Sequence, residues 1–126
     1  MIIKRIMLVI VTNVNFEGIP QGIGYVVKAF PYSHPGDKVV FFDRDDALKY
    51  AFSQATVVKV CRQNSFQYFF DGRYYACLQR LKDERTKEFF WRLSFGHGSV
   101  RYPSSDLGEK KVIERIAATK PELVQL

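Results

Sequence analysis

Two histidines carry the acid–base chemistry that this 126-residue chain offers. His97 stands between glycines in "FGHGSVRYP", and His34 lies in "SHPGD". An imidazole titrates near neutral pH, and flanking glycines let a ligand approach closely, so His97 is a candidate general base. Arg101 and Tyr102 follow it. His97, Arg101 and Tyr102 thus form a candidate ligand-contact loop, and metal-independent cleavage of RNA is the reaction it would suit.

Spacing excludes most other chemistry. "EGIPQGIG" holds Gly18, Gly22 and Gly24 behind an apolar strand, but it leads into the strand-like "YVVKAF" and lacks a Gly-Lys-Ser/Thr ending, so it does not read as a phosphate cradle. His97-Gly98-Ser99 matches one half of the paired His-x-Ser/Thr pattern of two-histidine phosphoesterases; His34-Pro35-Gly36 lacks the second hydroxyl, and the pattern fails. His34 and Asp37 have no further ligand at metal spacing, and Asp43, Asp45 and Asp46 are accounted for by a helix start. Cys61 and Cys77 sit in no nucleophile context and read as small core residues, with pairing between them the lesser alternative. No metal and no cofactor is expected.

Binding is the stronger alternative to catalysis. "FQYFFDGRYY", residues 66–75, sets six aromatic rings around Asp71-Gly72. The net charge is +6, and residues 56–102 hold nine Lys/Arg against four Asp/Glu, so the excess falls on the ring-rich segment. Rings that stack bases beside arginines that meet phosphates are what single-stranded nucleic acid requires. The same charge argues against an acidic mimic of DNA.

These residues need elements to hold them. Ile2–Thr12 is nearly continuous β-branched and aliphatic residue, the pattern of a strand covered on both faces. Lys4 and Arg5 precede its run Ile6–Val11 as in a secretion leader, but the run is shorter than a leader's apolar core and far below the roughly 20 residues of a membrane span. Ile23–Phe30 and Lys38–Phe42 read as further strands. Asp43 caps a helix over 43–55 whose apolar stripe is Ala47, Leu48, Ala51, Phe52 and Ala55. Strands follow at Thr56–Arg62, Phe66–Phe70, Arg73–Leu81 and Glu88–Phe95, and a second helix spans 106–119, with Asp106 and Glu109 spaced as a cap and its partner.

The expected fold is α+β: one domain over 1–126, a mostly antiparallel sheet of about six or seven strands, and both helices packed on one face. A two-residue Asp-Gly turn would set Phe70 opposite Arg73, Tyr68 opposite Tyr75 and Phe66 opposite Cys77. Phe69, Tyr74, Ala76 and Leu78 would then join Trp91 inside, leaving Phe66, Tyr68, Phe70, Arg73, Tyr75, Phe90 and Arg92 outside. The expected function is a cytoplasmic, non-catalytic basic protein that contacts RNA or single strands through Lys59, Tyr68, Arg73, Tyr75 and Arg92. A protein–protein inhibitor or adaptor of the phage or mobile-element kind, or a homodimer built on the rings, ranks second. RNA cleavage by His97 ranks third, and no membrane partner is expected.

Overall fold

The apolar N-terminal run divides into two strands, β1 (Ile2–Ile3) and β2 (Ile6–Val14). The structure, a computed structural model, describes residues 2–3, 6–14, 22–30, 38–96, 98–119 and 124–125. Along the chain follow β3 (Gly22–Phe30), β4 (Lys38–Phe41), α1 (Arg44–Gln54), β5 (Val57–Arg62), β6 (Ser65–Phe70), β7 (Arg73–Lys82), β8 (Phe89–Phe95), β9 (Gly98–Tyr102), α2 (Ser105–Thr119) and β10 (Val124–Gln125). Eight strands form one sheet in the order β4-β3-β2-β5-β6-β7-β8-β9, while β1 and β10 pair separately. Neighbours in the sheet run antiparallel, except β2 and β5.

The fold is therefore α+β with a mostly antiparallel sheet, as the sequence predicts, but with more strands than expected. The strand missed by sequence reading within the sheet is β9. Gly98–Arg101 are all exposed, and Gly96, Gly98 and Pro103 frame the segment like a loop, so no buried alternation announces it.

The first helix forms where its signals place it. Asp43 Oδ1 accepts the Asp46 backbone N–H at 3.1 Å, and Asp45 and Asp46 lie in the first turn, where the helix dipole favours carboxylates. Ala47, Leu48 and Ala51 are buried against Met7, Val9, Val27, Val58 and Val60. As the connection from β4 to β5, α1 spans β3 and β2 and brings β5 alongside β2 in parallel.

The second helix begins differently from its sequence signal. Ser104 caps it: Leu107 N–H donates to Ser104 Oγ at 3.4 Å and Gly108 N–H to the Ser104 carbonyl at 3.5 Å. Asp106 sits in the first turn, and Glu109 is left free for a different task. Val112 and Ile116 pack with Ile6, Val57, Tyr68, Ala76, Leu78 and Leu93.

The two helices lie on opposite faces, which corrects the expectation that both cover one. In β2, Ile6 faces α2 and its neighbour Met7 faces α1; in β5, Val57 and Val58 divide the same way. Successive residues of a strand point to opposite sides, so the two clusters are separated by the sheet itself. The coverage is also staggered, with α1 on the β2–β5 half and α2 on the half toward β9. Among the described residues, no helix covers the α1 side of β7–β9.

Close approach of α2 to the sheet rests on Gly108. A Cβ there would lie 2.5 Å from Leu78 Cδ2, and Leu78 is fully buried, with little freedom to swing aside. Overpacking of this kind costs about 1–3 kcal/mol, against a helix-propensity gain of roughly 1 kcal/mol for alanine. Gly108→Val, which forgoes most of that gain, should therefore lower stability more than Gly108→Ala, by about 2 kcal/mol or more relative to the native chain in urea unfolding. Equal stability of the valine variant would show that α2 does not depend on this contact.

Candidate binding face of the meander

The ring-rich hairpin turns where expected, and then departs from the expected register. Asp71 (φ 52°) and Gly72 (φ 75°) both take positive φ, as a two-residue hairpin turn demands, and Phe70 pairs with Arg73. Phe69 then pairs with Tyr74 but Tyr68 with Ala76, so Tyr75 is an extra residue on β7. Beyond a bulge every side chain on that strand changes face relative to the unbroken register. Ala76 and Leu78 consequently join Phe66, Tyr68 and Phe70 on the α2 side.

That shift returns most of the rings to the interior. Phe66 stacks on Trp91 with ring centroids 5.4 Å apart, Phe70 and Phe95 each meet the Tyr75 ring edge-on, and Phe69 leans on Phe52 of α1 at 5.6 Å. Tyr68 is 1% exposed, which corrects its expected place on a nucleic-acid surface. Of the six rings only Tyr74 is exposed, at 56%.

Lys59 and Tyr68 instead share one partner. Glu109 Oε1 accepts the Tyr68 hydroxyl at 2.8 Å and pairs with Lys59 Nζ at 2.7 Å, while Lys59 lies 4.2 Å from the centre of the Phe66 ring. Burial, followed by the Glu109 charge and hydrogen bond, pushes the Tyr68 phenol far above its ordinary value. The hydroxyl is thus a fixed donor. This trio ties the first turns of α2 to β5 and β6, and takes both residues out of the candidate binding set.

The remaining expected residues separate. Tyr75 is half-buried beneath α2, and Arg73 is exposed beside the turn, opposite Phe70. Tyr102 faces a cleft beside α2, while Arg101 points to the other face, where its guanidinium lies 4.1 Å from the Phe90 ring centre. His97 and His34 lie outside the described residues. Cys61 faces the α2 side and Cys77 the α1 side, with β6 between their strands, so they cannot bridge. Burial raises the Cys61 thiol, making it a poorer nucleophile. Among the described residues no cluster of His, Cys, Asp and Glu could hold a metal, and no helix is long and apolar enough to cross a membrane.

Only Arg92 of the first expected set stays on the bare face, and the strand register supplies it with company. Arg62 pairs with Ser65, Ser65 with Gln79, Gln79 with Arg92, and Arg92 with Arg101. These five residues form one row across β5–β9, spanning about 19 Å at the usual strand spacing. The next row is Gln67, Cys77, Ser94 and Ser99, with Tyr74 beyond it. Arg62, Gln79, Arg92 and Arg101 are exposed. Arg92 is steadied by Gln79 Oε1 at 3.3 Å, and Arg101 by Asp83 Oδ2 at 3.2 Å. Sequence reading missed Arg62 because its place in the row follows from pairing across three intervening strands, which no local spacing encodes.

Asp83 organises the end of this face. Its Oδ1 accepts the backbone N–H groups of Arg85 at 2.8 Å and Thr86 at 3.2 Å, and these, with Arg101, hold its carboxyl below the ordinary value. A lowered folded value means the contribution is complete above the unfolded value of roughly 4 and is lost as pH falls through the folded one. Amide exchange at Arg85 and Thr86, measured by NMR and corrected for intrinsic rates, should stay protected at pH 5 and lose protection only below pH 4; loss already at pH 5 would contradict the assignment.

Removing Glu109 tests the trio beneath α2. Glu109→Ala leaves a buried hydroxyl and an ammonium without their acceptor and should cost about 1–3 kcal/mol in urea unfolding, with Glu109→Gln in between. An alanine variant as stable as the native chain would mean the trio contributes nothing. Comparison with known protein families, curated proteins and solved structures finds no match for this chain.

Proposed function

We propose that the protein is a non-catalytic binder of RNA or other single-stranded nucleic acid, and that the α1-side face of β7–β9, with the adjoining ends of β5 and β6 at Arg62 and Ser65, is the surface it uses. One observation carries the reading: the row Arg62, Ser65, Gln79, Arg92 and Arg101, whose arginines and glutamine are all exposed, on a side of the sheet where no helix lies over β7–β9 among the described residues. Three guanidiniums at strand spacing suit a chain of phosphates, since each presents a planar fork of donors that matches a phosphate oxygen pair. Gln79, Ser94 and Ser99 add donors and acceptors, and the exposed Tyr74 ring offers a face for a base. Phosphate contacts fix position and supply affinity, so such a surface binds with little sequence preference.

The test is fluorescence anisotropy with a labelled single-stranded RNA over a series of salt concentrations. Native protein should lose affinity steeply with salt, at about 0.7 log units per log unit of salt for each phosphate neutralised. The triple variant Arg62→Ala, Arg92→Ala, Arg101→Ala should bind at least about tenfold more weakly with a slope shallower by roughly 2, whereas Arg73→Ala, on the other side of the ribbon, should bind as the native chain does. Unchanged binding by the triple variant would remove the surface from the proposal. No binding by native protein at low salt would remove the function and turn attention to a protein partner.

A further inference from the structure

We propose that the cleft between β9 and the middle of α2 is a binding site for a small amphipathic anion, an aromatic carboxylate in the simplest case. The cleft has a volume of about 380 Å³, within the range of small-molecule sites. Phe95, Val100 and Tyr102 give it apolar walls, and Lys111 and Arg115 supply the charge. Val100 is 51% exposed although it pairs with the buried Leu93, so the cleft presents apolar surface to solvent.

Charge argues for the sign of the ligand. Lys111 and Arg115 are four residues apart on α2 and line the same cleft, and like charges at that spacing repel. Among the described residues neither has an ion-pair partner: the described salt bridges lie at Lys59, Lys87 and Arg101. The Arg115 guanidinium carbon lies 4.0 Å from the Phe95 ring centre, which holds the charge against the cleft wall, where it can donate to a carboxylate in the bidentate manner. Glu114 does not line the cleft. A ligand carrying one carboxylate on a flat apolar body would relieve the repulsion and cover the exposed walls together. This site lies on the α2 side, away from the arginine row, and stands or falls independently of the nucleic-acid reading.

Isothermal titration of the purified 126-residue chain with naphthoate, and with uncharged naphthamide of the same shape, tests it. The expected result is saturable one-site binding of naphthoate, at least about tenfold weaker binding of naphthamide, and a comparable loss in the double variant Lys111→Gln, Arg115→Gln. Val100→Trp, which fills the cleft from an exposed position, should abolish binding while circular dichroism and RNA affinity stay native. Equal affinity for the two probes, unchanged binding by the double or the tryptophan variant, or no saturable binding by the native chain would each overturn the proposal.

Discussion

One extra residue on β7 decides which side of the meander is inside. Without the bulge at Tyr75, Ala76 and Leu78 would lie on the same side as Phe69, and Tyr68 would face Tyr75 rather than a small alanine. Leu78 and Ala76 are fully buried beneath α2, and Gly108 leaves the room that Leu78 fills. The seat of α2 and the burial of Tyr68 both follow from that single insertion. Bulges raise local twist as well, which suits a sheet eight strands wide.

The trio of Lys59, Tyr68 and Glu109, partly buried beneath α2, shows how a polar group can select an arrangement in an otherwise aliphatic contact. Val112 and Ile116 would pack almost as well after a small rotation of α2, since apolar contact is non-directional. A carboxylate that must meet both a phenol and an ammonium does not tolerate that rotation. At the other end of the sheet Asp83 does similar work with backbone donors, fixing the β7–β8 connection and the direction of Arg101.

Where the sequence was legible, a local rule sufficed. Asp43 capped α1, Asp71-Gly72 made the turn, and the double-sided apolar pattern of β2 correctly placed it between two layers. That same pattern already contradicted helices on one face, because a strand buried on both sides needs cover on both. The candidate site was less legible for a physical reason. Alternation predicts sides only while the register is unbroken, so an error at Tyr75 propagated to Tyr68, Ala76 and Leu78, and assembled a surface from residues that are interior. The arginine row lies across the strands, and its five members come from five different strands, so their proximity exists only after pairing. Glu109 satisfied a capping rule in sequence but serves the sheet, Ser104 having taken the cap.

The parallel join of β2 to β5 divides the molecule by the order in which it can be assembled. Strands β5 to β9 close through short turns between sequence neighbours, and each pairing can form as soon as the preceding one exists. Contacts such as Val9 with Val60 require β3, β4 and α1 to be passed over first. Closing a long loop before its contacts reward it is the slow part of folding for sheets of this kind. The meander is therefore the segment able to form early, with its apolar α2 side uncovered until the C-terminal helix arrives. In a chain emerging from synthesis that side waits the longest, and it is there that a folding intermediate would be most prone to self-association.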